Sequence, residues 1–293
     1  MRAIAGIVPL IALVLFFAPA SAGAASVEVG YIESFDGFAE GYKLTRDSQQ
    51  RSITICMPVF KGDQIKVEAP RGQLVLRLAD NNDPVILTRD RGPYTVIGEP
   101  PAKGFWSPRL AWAANQFNLM DTAEKTHFST VIRGGREKFA APMLRSPQTL
   151  AAGARRLTIG WRGGKTVHVT LASSPDGKVL ANEAAADGFW TSAPIDLHSG
   201  AYALTIVESD AHSAIGVIDV VAAAELPQTP AELKRSEIPN ELRITADAAW
   251  LATQGGGAFL LEALQRLQPL GGKFRPAQTL ADALTDGRAP NPP

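Results

Sequence analysis

The stretch GDQIKVEAPRGQLVLRLAD, residues 62–80, decides the fold class of the first part of the chain. Ile65 and Val67 alternate with polar residues. The alternation resumes at three leucines, Leu74, Leu76 and Leu78. A period of two residues is typical of half-buried strands, because successive side chains of a strand point to opposite faces. The stretch therefore predicts two β-strands.

The same pattern extends on both sides of this stretch. Val27, Val29 and Tyr31 alternate with smaller or polar residues, and Ile53, Ile55 and Met57 recur with the same period. Turns are predicted at Lys61-Gly62-Asp63 and at Asp80-Asn81-Asn82-Asp83, because glycine adopts positive φ and Asx side chains bond to the nearby backbone. We therefore expect an all-β module over residues 26–100.

Glycines and turn-forming acids follow one another in this module in a particular order, with one arginine between them. The order is Gly30, Gly37, Arg46, Gly62, Asp63, Ile65, Gly72, Leu74, Leu76, Leu78 and Asp80. It resembles the FecR domain, and the resemblance covers about a quarter of the chain. The best-known member of that family is a regulator with a cytoplasmic arm, a transmembrane helix and a periplasmic domain that receives a signal. The resemblance implies an exported β-rich domain that senses or docks.

The first residues are typical of a secretory signal peptide over residues 1–24. Arg2 precedes an apolar run from Ile4 to Phe17, and small residues follow it. Cleavage after Ala22 or after Ala24 satisfies the small-residue rule, and the alternative is an uncleaved membrane anchor. A cleaved leader places the mature protein in the periplasm with no integral membrane span. It also leaves no cytoplasmic arm, which departs from the FecR plan.

Helical spacing replaces the strand pattern after the first module. Ser107-Pro108 supplies an N-cap and a first-turn proline for a helix to about Thr122, which we expect to pack on the neighbouring β-module. The apolar stripe of this helix is Leu110, Ala113, Ala114, Phe117 and Met120. Residues 105–150 are thus predicted to be a connecting helix and a linker.

Strand patterns return over residues 151–223. Turns at Gly163-Gly164, Pro175-Asp176-Gly177 and Ser199-Gly200 separate them at spacings that suit an immunoglobulin-like or fibronectin-like sandwich. Trp161 and Tyr202 are predicted core residues. The fold class is therefore mainly β, with a FecR-like β-domain, an Ig-like β-sandwich, a connecting helix and a small C-terminal helical segment.

Residues 228–287 are predicted to be helical and to pack on the sandwich. Thr229-Pro230-Ala231-Glu232 has the pattern of a capping box, and Asn240 is placed to cap a second helix. Gly255–Gly257 should end that helix, a third runs Phe259–Leu267, and Pro276 begins the last. The helices resemble about one and a half tetratricopeptide units, too few to bury a solenoid core alone. Residues 288–293 are predicted to be a disordered tail.

Composition excludes some classes of function. Basic and acidic residues number 29 each, so the net charge of zero gives no field that would favour nucleic acid. Cys56 is the only cysteine, so no internal disulfide can form. Its apolar surroundings predict a buried thiol, and a reactive or intermolecular thiol is the alternative.

The sequence contains no recognised catalytic, cofactor or metal motif, and we predict no catalytic, cofactor-binding or metal-binding residues. His127, His168, His198 and His212 are not spaced as metal ligands. Gly160–Thr166 ends in Gly-Lys-Thr but is one residue short of a P-loop. Asp80–Asp83 lacks the spacing of a calcium loop, and Asp187 and Asp196 define no glycosidase pair.

Two functions remain open at this level. The first is a non-catalytic exported sensing or scaffolding protein of the cell envelope, whose β-modules bind a protein or a glycan. The alternative is an uncharacterised envelope hydrolase with a site assembled from distant residues.

Overall fold

The computed structural model describes residues 27–81, 83–101, 103–131, 138–164, 166–174, 176–209 and 212–293. The predicted signal peptide lies outside these residues. As predicted, the chain is mainly β, with antiparallel sheets and short helices near the C-terminus.

The first module consists of two four-stranded antiparallel sheets. One has the order β4-β1-β6-β7 and the other the order β3-β2-β5-β8. The strands are β1 (Glu28–Phe35), β2 (Tyr42–Arg46), β3 (Gln49–Arg51), β4 (Pro58–Phe60), β5 (Gln64–Val67), β6 (Gln73–Leu78), β7 (Val85–Thr88) and β8 (Tyr94–Thr95). The predicted alternation of β5 and β6 is confirmed, because their apolar side chains are buried and the residues between them are more exposed.

One predicted strand of this module is absent. Ile53 and Ile55 are buried as expected, but residues 52–57 form a loop, and β4 begins only at Pro58. Cys56 has a φ of 58°, a left-handed conformation that interrupts strand geometry. Ile53 and Ile55 are buried without belonging to a strand, and this burial explains the strand-like pattern of the sequence.

Gly62 allows the turn between β4 and β5. Its φ is 92°, which disfavours any side chain, and its N–H donates to the Val96 carbonyl oxygen at 2.9 Å. Gly62→Val should therefore lower the free energy of unfolding by about 1–2 kcal/mol, measured by denaturant titration. The matched control is Gly104→Val, at an exposed glycine with open space and no positive φ. Equal midpoints for the two variants would contradict the prediction.

The second module is a β-sandwich. Its larger sheet has the order β13-β12-β16-β17-β9, antiparallel except that β9 runs parallel to β17. Two strand pairs, β10-β15 and β11-β14, form the opposite layer. The strands are β9 (Gln148–Ala151), β10 (Gly153–Arg155), β11 (Thr158–Gly160), β12 (Thr166–Ser174), β13 (Val179–Ala186), β14 (Phe189–Thr191), β15 (Ile195–Leu197), β16 (Gly200–Ser209) and β17 (His212–Val221).

Trp161 and Tyr202 are core residues, as predicted. They are 3% and 6% exposed. The Tyr202 hydroxyl donates to the His198 carbonyl oxygen at 2.9 Å and accepts from the His198 N–H at 3.1 Å. A tyrosine that bonds to the backbone a few residues upstream is the tyrosine corner of immunoglobulin-type sandwiches. It fixes the start of β16.

The described residues also form four α-helices: α1 (Pro108–Val131), α2 (Asn240–Ala252), α3 (Leu260–Leu267) and α4 (Arg275–Thr285). The Ser107 hydroxyl caps α1 by accepting from the Leu110 N–H at 3.2 Å. Contrary to the expectation, α1 packs mainly on α2 and α4 rather than on the first β-module. Its buried stripe joins the apolar faces of those helices and the sandwich in one continuous hydrophobic cluster, to which the first module contributes only Tyr31, Ile55 and Cys56 among its fully buried residues.

Three expectations for the C-terminal segment were wrong. Asn240 does not cap α2, because it is the first residue of the helix and its side-chain oxygen accepts from Arg243 Nη2. Thr229 caps no α-helix, because its hydroxyl donates to Asp247 and only a 3₁₀ turn follows, at Ala231–Leu233. Residues 288–293 are bound rather than disordered. Asn291 accepts from Trp112 Nε1 at 3.0 Å and donates to Gln116 Oε1 at 2.9 Å, so backbone groups of the tail pair with α1.

The helix break is confirmed at Gly255–Gly257, where all three φ values are positive. The helical segment also packs on the sandwich, as predicted, through α3 against β9 and β11. Gln148 Oε1 accepts from the Leu261 N–H at 3.0 Å in the first turn of α3. Gln265 of α3 exchanges two hydrogen bonds with the backbone of Thr158, both 2.8 Å long. We call these contacts the α3 tie.

Candidate functional site

The histidines singled out by the sequence have separate neighbours. His168 is exposed beside Asn182, His198 lies 3.7 Å from Asp196, and His212 lies 3.4 Å from Glu208. The side chain of His127 is outside the described part of the structure. Within that part no three His, Cys, Asp or Glu side chains form a group that could hold a metal ion.

Cys56 is fully buried and makes no disulfide. Burial, and to a smaller extent the nearby Glu33 carboxylate, raise the pKa of its thiol well above the usual range. The thiolate is the reactive form, so the structure agrees with the buried thiol rather than with the reactive alternative.

The acidic residues singled out by the sequence have ordinary structural surroundings. Asp80 accepts from the Glu99 N–H at 3.0 Å, and Asn81 accepts from the Asp83 N–H at 3.0 Å, which is an Asx turn. Asp187 lies in the turn after β13, and Asp196 lies in β15.

Arg46 and Asp63, separated by 17 positions in sequence, form a buried ion pair. Arg46 Nε and Nη2 donate to the two carboxylate oxygens of Asp63 at 2.9 and 2.7 Å. The same carboxylate accepts from the Phe60 N–H at 2.9 Å, and the guanidinium lies 4.0 Å from the centre of the Phe60 ring. All these partners belong to the first β-module, so the pair stabilises its turn and offers no group to a ligand.

An open cleft of about 790 Å³ lies between the first β-module and the start of α2. Both signs of charge line it, including Arg77, Lys234, Glu237 and Glu241. Arg77 already pairs with Glu33. Because its charges are mixed, the cleft has no clear preference for an anion or a cation.

The outer face of the larger sheet of the sandwich is the strongest candidate for a binding surface. It is formed by alternate residues of β12, β13, β16 and β17, since paired residues of neighbouring strands share a face. Asn182, His168 and Asp219 also lie on this face. Between them are small, apolar or hydroxyl-bearing side chains: Thr170, Ala172, Val179, Ala203, Thr205, Val207, Ile215 and Val217. We call these eight residues the sheet face.

The sheet face is open to solvent and carries no formal charge among its eight residues. Ile215 is 68% exposed, Val179 55% and Val217 47%. The solvent-facing side of an antiparallel sheet usually carries polar side chains. The sequence analysis missed this surface. The sequence of β16 could have indicated it, because no outward residue of this strand from 201 to 207 is Lys, Arg, Asp or Glu. These residues are Ala201, Ala203, Thr205 and Val207.

A second concave surface lies between β11-β14 and the α3-α4 hairpin, with a volume of about 600 Å³. Thr158 and Thr191 form part of its floor, and their hydroxyls are 2.9 Å apart. We call this surface the groove.

Comparison with known proteins identifies no family. The chain matches no family model and no curated protein. Among solved structures it is similar to the Arg-specific cysteine proteinase gingipain R of Porphyromonas gingivalis, with 20% identity over 29% of this chain and a TM-score of 0.21. The match spans only 18% of the gingipain chain. The ZIG-8 IG1 homodimer is similar over 35% of this chain and 99% of its own, with 11% identity and a TM-score of 0.20.

Proposed function

We propose that the chain is a non-catalytic, exported sensing or scaffolding protein of the cell envelope that binds a partner through its β-modules. The sheet face carries this proposal. Because these eight side chains alternate with inward ones, a strand spacing of about 4.8 Å and a rise of about 3.3 Å per residue give them an area of roughly 250 Å². Exposed apolar patches of a few hundred Å² on single chains are often functional. We therefore favour a protein partner at this surface.

The periplasmic location is part of the proposal and depends on the leader-like residues 1–24. No helix in the described residues is both long and apolar enough to cross a membrane. The FecR-like assignment of residues 26–100 also remains a proposal. It is supported by the order of glycines and acids, and by the ion pair that Arg46 makes with Asp63, two residues of that order.

A charge placed on the sheet face should remove partner binding without unfolding the protein. In Ile215→Glu, the carboxylate would have to lose water against the partner, so we expect at least a tenfold lower recovery of the partner. The measurement is crosslinking of the immobilised mature chain to envelope extract, followed by quantitative mass spectrometry.

The matched control is Ile97→Glu, since Ile97 is 65% exposed on the first β-module. It should recover the partner as the wild type does. Absence of any reproducible partner, or equal loss in both variants, would contradict the proposal. Turnover in a hydrolase panel would instead support the envelope hydrolase.

A further inference from the structure

The groove presents one aromatic side chain to solvent. Phe189 is 59% exposed and lies opposite Gly160 in the antiparallel pair β11-β14. A Cβ built on Gly160 would lie 2.3 Å from the Thr285 methyl group of α4, so this face of the pair is turned toward α4. Directly paired residues share a face, and Phe189 therefore lies on the groove side.

A rigid turn holds Phe189 in place. Asp187 and Gly188 form the two-residue connection between β13 and β14, with φ values of 61° and 81°. The strands that it joins belong to different sheets, and the Trp161 N–H fixes the turn by donating to the Gly188 carbonyl oxygen at 2.8 Å. On the inner face Trp190 is 3% exposed and fixes the strand to the sandwich core. The backbone that carries the phenyl ring is therefore fixed before a ligand binds.

The rim of the groove supplies hydrogen-bonding groups without positive charge. Gln268, Gln278, Asp187 and Asp282 contribute amides and carboxylates, and Gln278 Nε2 donates to Asp282 Oδ1 at 2.9 Å. Thr191 adds an exposed hydroxyl. Among the described residues that line the groove, none is Lys, Arg or His.

We propose that the groove binds a neutral glycan chain, with a sugar ring stacked on Phe189. A pyranose presents a face of C–H groups, which are attracted to the negative face of an aromatic ring, and a periphery of hydroxyls. Amides and carboxylates at the rim are suitable partners for those hydroxyls. The volume lies within the range of about 300–1,000 Å³ that is usual for ligand sites.

Charge decides against anionic occupants. A phosphate or a nucleic acid would meet the two carboxylates with no cation in the described lining to balance them. A cationic peptide is the competing occupant, since it could use the carboxylates and the ring together. Its binding would weaken strongly with salt, whereas binding of a neutral glycan would not.

The proposal extends the proposed function and is tested separately from it. Cellotetraose, chitotetraose and maltotetraose are titrated into the mature chain by calorimetry, at low and at high salt. We expect at least one of them to bind saturably and independently of salt. Phe189→Ala should weaken that binding about tenfold or more, and Phe189→Trp should retain it.

The matched control is Phe38→Ala, because Phe38 is 70% exposed on the first β-module. It should bind as the wild type does, and so should Ile215→Glu on the sheet face. Circular dichroism verifies the fold of each variant. The proposal is overturned if no tetrasaccharide binds, if Phe189→Ala binds as Phe38→Ala does, or if only an oligolysine peptide binds and high salt removes it.

Discussion

Replacing Asp63 with alanine is expected to lower the free energy of unfolding by about 3–4 kcal/mol, the largest effect of any exposed or buried carboxylate in the first β-module. The side chains of Asp63 and Arg46 are 1% and 13% exposed. Removing the carboxylate leaves a buried guanidinium without its counter-ion. It also leaves the Phe60 N–H without its acceptor. The loss is measured by urea titration followed by circular dichroism.

Two further variants distinguish the stability lost with the ion pair from the stability lost on removing any carboxylate. Asp90→Ala removes an exposed carboxylate and should change stability by no more than about 0.5 kcal/mol. Adding Arg46→Met to Asp63→Ala should restore part of the loss, because the unpaired charge is then gone. A loss below about 1 kcal/mol in the single variant would show that water or another group replaces the carboxylate.

Replacing Gln265 with methionine should cost about 2–4 kcal/mol, because it breaks the α3 tie while keeping the side-chain volume. Gln265 is 7% exposed, and its amide serves both the N–H and the carbonyl oxygen of Thr158. Methionine leaves both backbone groups buried without a partner. Thermal unfolding measures the loss in stability. Hydrogen exchange at the Thr158 amide shows whether protection is lost at this residue.

Gln268→Met is the control for this change, since Gln268 is an exposed residue just after α3. It should alter the melting temperature little. Unchanged exchange protection of the Thr158 amide in Gln265→Met would refute the role given to the α3 tie.

Strands with one buried face could be predicted from the sequence because their periodicity is local. β6 and β12 are examples, since alternate side chains are buried in both. The loop around Cys56 shows the limit of this reasoning, because burial of Ile53 and Ile55 imitates a strand where the backbone has none. The binding of the C-terminal tail to α1 could not be predicted from local patterns either, since the partners of Asn291 are 175 and 179 positions away.

Neither candidate surface could be assembled from motifs. The sheet face depends on four strands in register, and its residues are common small side chains that have no individual signature. The groove depends on the packing of α4 over Gly160, which brings residues of two modules together. By contrast, Arg46 and Asp63 both appeared in the FecR-like order, although the sequence did not indicate that they touch.

The α3 tie joins residues 107–113 positions apart, which has a consequence for the kinetics of folding. Such distant pairs form only after a long loop has closed, and chains with many of them fold slowly. Until α3 arrives, the Ala151 N–H of β9 lacks its acceptor, the Glu262 carboxylate, and the Thr158 backbone of β11 lacks both of its partners, so the sandwich has no finished edge. We expect refolding after dilution from denaturant to be limited by the docking of α3, and the sandwich and the helices to melt in one cooperative transition.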